Sequence, residues 1–283
     1  MFSLLISLLF SSIALSYAFS HDYVIQDDAR HHVFWMHRFL DPALFPNDLI
    51  ADYFQTVAPL GYVWLYKISA WVQIDPITLN KLLPLGLGLM MTAYCFGVCM
   101  ELWPVPLAAF ASTVLLNEWV WAEDNLISAT PRAFVYPIFL GFLYYFMRRS
   151  LWPCLFMILL QGLFYPQYAL IIIVFLLLNL IPNPKTFLQW GREVSPFFTH
   201  NPYLETAKLC GIGITLACSI LLIFKLTSSG FGPVGTLQEA QQMIEFTDIG
   251  RFPFFDKNPW CFWLSKKNSG LLSAYNSTVS CRI

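Results

Sequence analysis

Charge is what this 283-residue chain has least of: Asp, Glu, Lys and Arg together make up 12% of it, about half the share in a soluble domain. The few charges almost cancel, leaving a net −1. No basic patch follows from such a balance, so nucleic acid is excluded as the expected partner. The seven cysteines form no C-x-x-C pair. Cys95 and Cys99 share a helix face, but no other soft ligand stands near them, and they read as buried inert thiols. A disulfide between Cys261 and Cys281 requires the C-terminal tail to be extracytoplasmic.

Charge and histidine are missing altogether from five runs, 1–20, 82–100, 133–147, 150–184 and 209–224. About 20 apolar residues cross a bilayer as a helix, and somewhat fewer suffice where the membrane thins. With 57% hydrophobic and 17% aromatic residues, the composition predicts an all-α, polytopic transmembrane helix bundle. The first run has no basic flank and only a weak small-residue cleavage pattern at Ser16 to Ala18, so it reads as a retained anchor.

Seven spans are expected, roughly, with one embedded or interfacial helix beside them. The first, 2–19, leads into a polar loop, 21–58, that holds six Asp, two Arg and four of the five His. "PLGYVWLYKISAWVQI", 59–74, carries Lys67 at its middle, and a lysine there makes a full crossing expensive. It therefore reads as embedded or interfacial. Spans follow at 82–100, 105–121 and 133–147. The 35 uncharged residues of 150–184 are too long for one crossing at about 1.5 Å per residue, and "FYPQY" divides them at Pro166. A last span covers 207–226. Residues 1–226 thus form the membrane domain and 227–283 an extramembrane tail with one amphipathic stretch near 237–246. Placing Arg148, Arg149 and the basic 182–208 segment in the cytoplasm puts the Asp-rich loop on the opposite face. The expected location is the cell's inner or plasma membrane.

The loop opens with "HDYVIQDDARHHVFW", 21–35. A helix beginning near Asp27 stacks Asp27 over His31 and Asp28 over His32, four residues apart, while Val33, Met36 and Leu40 form an apolar stripe. Carboxylates at a helix start are stabilised by the helix dipole, which accounts for one aspartate but not for the pair and its histidines. Ionisable groups held at a membrane face tend to be functional. Three chemistries fit: a carboxylate as general base on a hydroxyl, the pair Asp27 and Asp28 as oxygen ligands of a divalent metal, and, ranked last, Asp with His on zinc.

The order of first helix, extracytoplasmic loop with an acidic pair, and a "PLG" helix dipping into the membrane resembles the GT-C class of membrane glycosyltransferases. Protein O-mannosyltransferases and aminoarabinose transferases belong to that class. Asp27 and Asp28 match its acidic motif, Pro59, Leu60 and Gly61 the start of its embedded helix, "SATPRAFVYP" (128–137) its second outer loop, and "FYP" (164–166) a later turn. The resemblance implies sugar transfer from a polyprenyl-phosphate carrier to an acceptor on the outer face. It makes Asp28 the general base, supported by Asp27, and Arg132 the partner of the carrier phosphate through its planar fork of donors. Glu123 and Asp124 are candidates for metal or sugar hydroxyls, His31 and His32 for headgroups or acceptor, and Lys67 for substrate contact. Members of the class have more spans and a larger C-terminal part, so the resemblance is to a truncated member. "NST", 276–278, matches a glycosylation sequon. The rival readings are a transporter or flippase-like protein, for which Lys67 is the strongest residue, and a non-catalytic membrane subunit.

Overall fold

Why the chain breaks into helices where it does is visible at their starts. The computed structural model describes residues 1–21, 24–122, 125–180, 202–227 and 235–246, and among the described residues there is no β-strand. The α-helices are α1 (Phe2–Ala18), α2 (Asp27–Val33), α3 (Leu49–Val57), α4 (Leu60–Trp71), α5 (Pro76–Leu102), α6 (Pro106–Ala122), α7 (Val135–Met147), α8 (Leu151–Phe164), α9 (Ala169–Leu180), α10 (Pro202–Thr227) and α11 (Leu237–Gln242). Short 3-10 turns lie at Phe34–Phe39, Pro131–Phe134, Pro166–Tyr168 and Ile244–Phe246. Asp48 caps α3 by accepting from the amides of Ile50 and Ala51. Asp75 caps α5 by accepting from Thr78 N, with Pro76 in the first helical position, where its missing N–H costs nothing. Pro166 keeps Tyr165 out of the helical conformation (φ −152°, ψ 79°), and α8 ends at Phe164.

The chain divides into two units, Met1–Ser229 and Gly230–Ile283. In the first, α5 packs on α1, α6 and α7, α7 on α8, and both α8 and α9 on α10. Among the described residues two helices are long and apolar enough to cross a bilayer, Pro76–Leu102 and Glu205–Leu226. Phe2–Ala18, Leu151–Phe164 and Pro166–Leu180 are apolar but shorter. In the second unit α11 begins with a reciprocal cap. Thr236 N donates to Glu239 Oε2 and Glu239 N donates to Thr236 Oγ1. Leu237, Met243 and Ile244 stay exposed.

The unit has an apolar core, but on α1 and α6 burial departs from that of a water-soluble bundle. On α1 the inward face is serine: Ser7 and Ser11 are 0% exposed, whereas Leu5 and Leu9 are 56% and 57% exposed. A helix in water turns its apolar stripe inward. Here the small polar side chains let α1 approach α5 closely, so that a Cβ added at Gly88 would lie 3.3 Å from Ser7 Oγ. On α6 the buried positions Ala109, Thr113 and Asn117 again recur every four residues. Asn117 donates to Thr92 Oγ1 of α5 (2.8 Å) and accepts from Trp121 Nε1 (3.2 Å). Small residues and interhelical amide bonds at contacts, with leucine and isoleucine facing out, characterise helices packed in lipid.

α4 does not run the length of the bundle. His37 Nε2 lies 3.0 Å from Asp75 Oδ1, so the start of α5 is at the same end as the loop from which α4 departs. Along the way α4 crosses the ends of three helices. A Cβ on Gly61 would come within 2.9 Å of Leu163 Cβ near the end of α8. The Tyr62 ring meets that of Phe134, just before α7, at 6.0 Å. Asn80 Nδ2 of α5 donates to Tyr66 Oη at 3.2 Å. α4 is therefore a strap over one end of the bundle, hereafter the loop end.

Candidate functional site

Asp27 and Asp28 form the first turn of α2 and are exposed. The capping bond of this helix comes from elsewhere: Gln26 Oε1 accepts from Ala29 N at 3.1 Å. Neither aspartate is hydrogen-bonded or ion-paired to a described residue. Ala29 and Val33 are buried and hold α2 by its opposite side. Asp28 lies one helical turn before His32, near enough for its charge to act on the imidazole.

The two histidines clamp one ring. His31 stacks on Phe54 of α3 at 5.7 Å, and His32 meets the same ring edge-on at 5.1 Å. Burial holds the His32 imidazole below its ordinary value of 6.5, against the opposing pull of Asp28. The folded chain therefore binds fewer protons at this site than the unfolded one, and loop stability falls as pH drops below about 6.5. Protection of the amides in 27–57, their exchange rate set against the intrinsic rate at each pH, should fall between pH 7 and pH 5.5. His32→Phe should flatten that dependence, and an unchanged slope in the variant would assign it to another group.

After His32 the helix tightens. Residues Phe34–Phe39 form a 3-10 turn, whose period of about three residues replaces 3.6. Val33 and Met36 are buried as the apolar stripe requires, but the next inward residue is Phe39, and Leu40 is exposed. Arg38 then ties the loop to itself. Its guanidinium donates to Asp52 Oδ1 (2.7 Å), Gln55 Oε1 (2.8 Å) and the carbonyl of Phe45 (2.6 Å). His37 has acceptors within hydrogen-bond distance of both ring nitrogens, Phe34 O at 2.9 Å and Asp75 Oδ1 at 3.0 Å.

Arg132 is exposed on the 3-10 turn Pro131–Phe134, with no hydrogen bond or ion pair to a described residue. The turn is at the loop end, because the segment preceding it is bonded to α4 and α5. Tyr62 donates to the carbonyl of Ala129 (3.0 Å), and Asn80 donates to that of Ser128 (3.1 Å). Ala129 has φ 46°, a strained value for alanine, and both neighbouring carbonyls are held by these buried donors. Burial pushes the Tyr66 hydroxyl up to about 12 and raises that of Tyr62 as well, so both stay neutral and able to donate. This Tyr62, Tyr66 and Asn80 cluster escaped the reading of the sequence. Its signal was there: tyrosines four apart, and an asparagine in the second turn of an otherwise apolar helix.

Lys67 projects from the outer face of α4, with its ammonium 5.2 Å from the Trp64 ring, opposite the buried Tyr62 and Tyr66. Structure thus brings Asp28 to His32, and it places the aspartates, Arg132 and Lys67 at one end without a direct bond among them. Glu123 and Asp124 lie outside the described residues, as do Cys261, Cys281 and the 276–278 sequon. Among the described residues no three or more His, Cys, Asp or Glu side chains converge as a metal would need. Comparison of the chain with protein-family models, with curated proteins and with solved structures finds no match.

Proposed function

We propose that the chain is a multi-pass integral membrane protein, a bundle of about seven spans with α4 lying at the interface. It transfers a sugar from a polyprenyl-phosphate carrier to an acceptor hydroxyl at its loop end. The faces of α1 and α6 support the membrane placement: Ser7, Ser11 and Asn117 are buried while Leu5, Leu9, Leu107 and Leu115 are exposed. The observation that carries the transfer reading is the state of the two aspartates. Their helix is capped by Gln26, so they are not needed as its cap, and, like Arg132 at the same end, they are paired with no described residue. One carboxylate accepts the acceptor's proton as the glycosidic bond forms. The guanidinium fork matches the oxygens of the carrier phosphate. At the opposite end Arg148 lies 3.6 Å from Glu101, and the positive-inside tendency puts that end in the cytoplasm.

Two measurements test this. In a cysteine-free background, Asp41→Cys should react with an impermeant thiol reagent from outside intact cells, and Arg149→Cys should not. Labelling of both from one side would remove the topology. Membranes containing the chain should then convert polyprenyl-phosphate-linked sugar to polyprenyl phosphate faster than membranes without it. Equal rates with correctly oriented protein would leave a membrane protein of another activity, a transporter or a non-catalytic subunit.

A further inference from the structure

A cavity of about 360 Å³ opens at the loop end between the end of α1, the segment before α2 and the first turns of α5. That volume falls within the range of small-ligand sites, about 300–1,000 Å³. Phe19, Ile25 and Ile77 supply an apolar wall, and His21 and Lys81 border it. Lys81 is half-buried, with its ammonium 5.1 Å from the Phe19 ring, and it has no ion pair with a described residue. The acid in the cavity is already committed. Asp75 Oδ1 is bonded to His37, and Oδ2 accepts from both the amide and the hydroxyl of Thr78. Among the described residues Lys81 is therefore left without an ion-pair partner beside an apolar wall.

Its height in the bundle matters. α5 has 27 residues, which is about 40 Å at 1.5 Å per residue, whereas the hydrocarbon layer is about 30 Å thick. The uncharged stretch begins at Leu82, directly after Lys81. The first turns of α5 then stand among lipid headgroups, with the cavity open to them.

We propose that this cavity binds the phosphate monoester headgroup of a membrane lipid. Lys81 carries the counter-charge, His21 adds an N–H donor, and Phe19, Ile25 and Ile77 receive the first carbons of the lipid chain. The inference rests on the membrane placement above and is independent of sugar transfer. A cation–π contact with Phe19 holds the ammonium at the cavity without using up its three donors.

The test uses the full chain in detergent, with phosphatidic acid as probe, phosphatidylcholine as neutral competitor and native mass spectrometry as readout. One phosphatidic acid should bind in preference to phosphatidylcholine. Lys81→Gln should weaken that binding about tenfold or more, the effect of losing a charge-assisted hydrogen bond, and Lys81→Arg should keep it. His21→Glu, at an exposed position where folding is not at risk, should weaken it as well by placing a carboxylate beside the phosphate. Lys208→Gln at the opposite end should change nothing. Retained affinity in both Lys81→Gln and His21→Glu overturns the site. An equal loss in Lys208→Gln reduces it to general charge attraction, and displacement by inorganic phosphate at the same concentration as the lipid shows a free-anion site instead. A chain that alkaline carbonate washes from membranes fails at the membrane placement, which is a separate result.

Discussion

Asp28→Asn is expected to slow sugar transfer by about a hundredfold or more while leaving the yield of membrane-inserted protein unchanged. The substitution keeps the shape of the side chain and removes only its ability to take a proton. Folding should tolerate it because Asp28 is exposed and bonded to no described residue. Surface changes of that kind stay within about 0.5 kcal/mol. A hydroxyl is a poor nucleophile until its proton has somewhere to go, so the loss falls on turnover rather than on carrier binding. Asp27→Asn should cost less if Asp27 only supports its neighbour. If the two carboxylates instead share a divalent cation, both variants fail alike and a chelator reproduces them. Full transfer by the double Asn variant would end the catalytic reading. The pair would then be charges favourably placed at a helix start, worth about 0.3–1 kcal/mol each.

The second large effect is on stability, from Asn80→Asp. Asn80 is 4% exposed, and its amide nitrogen donates to Tyr66 Oη (3.2 Å) and to the Ser128 carbonyl (3.1 Å). Aspartate fits the same space but replaces that donor with an oxygen, which then faces a carbonyl oxygen. Breaking a buried polar pair in a way that leaves an uncompensated charge costs about 3–5 kcal/mol. Asn80→Leu, which leaves the same carbonyl unpaired without adding charge, should cost about 1–3 kcal/mol. Thermal unfolding in detergent should rank wild type above Asn80→Leu and Asn80→Leu above Asn80→Asp. Because the same contact braces the turn at Ala129, Arg132 should become more accessible to arginine-specific reagents in both variants. Equal stability of Asn80→Asp and wild type would mean that water reaches this cluster.

Sites of this kind are legible in sequence only as far as their causes are local. The start of α2 at Asp27 was expected because acidic residues precede an apolar repeat, and the pairing of Asp28 with His32 needs only the helical period. That Gln26 rather than an aspartate caps the helix depends on a side-chain orientation the spacing leaves open. The stripe expected at Val33, Met36 and Leu40 held for its first two residues. It shifted to Phe39 because packing tightened the helix into a 3-10 turn, a change that periodicity counted at 3.6 residues does not contain.

By itself the sequence determined the helical class, the uncharged runs, the entry into α4 at Pro59 and the break at Pro166. Each follows from composition or from the backbone limits of proline, which act within a few residues. Tertiary structure alone decided which faces meet. Serine turned inward on α1 because close approach to Gly88 needs a small side chain, and no feature of α1 names its partner. α4 became a strap because Tyr62 and Tyr66 reach Ala129 and Asn80, contacts 67 and 14 residues away along the chain. Hydrogen bonds across such distances depend on where other helices end, and that is settled only when the whole bundle has assembled.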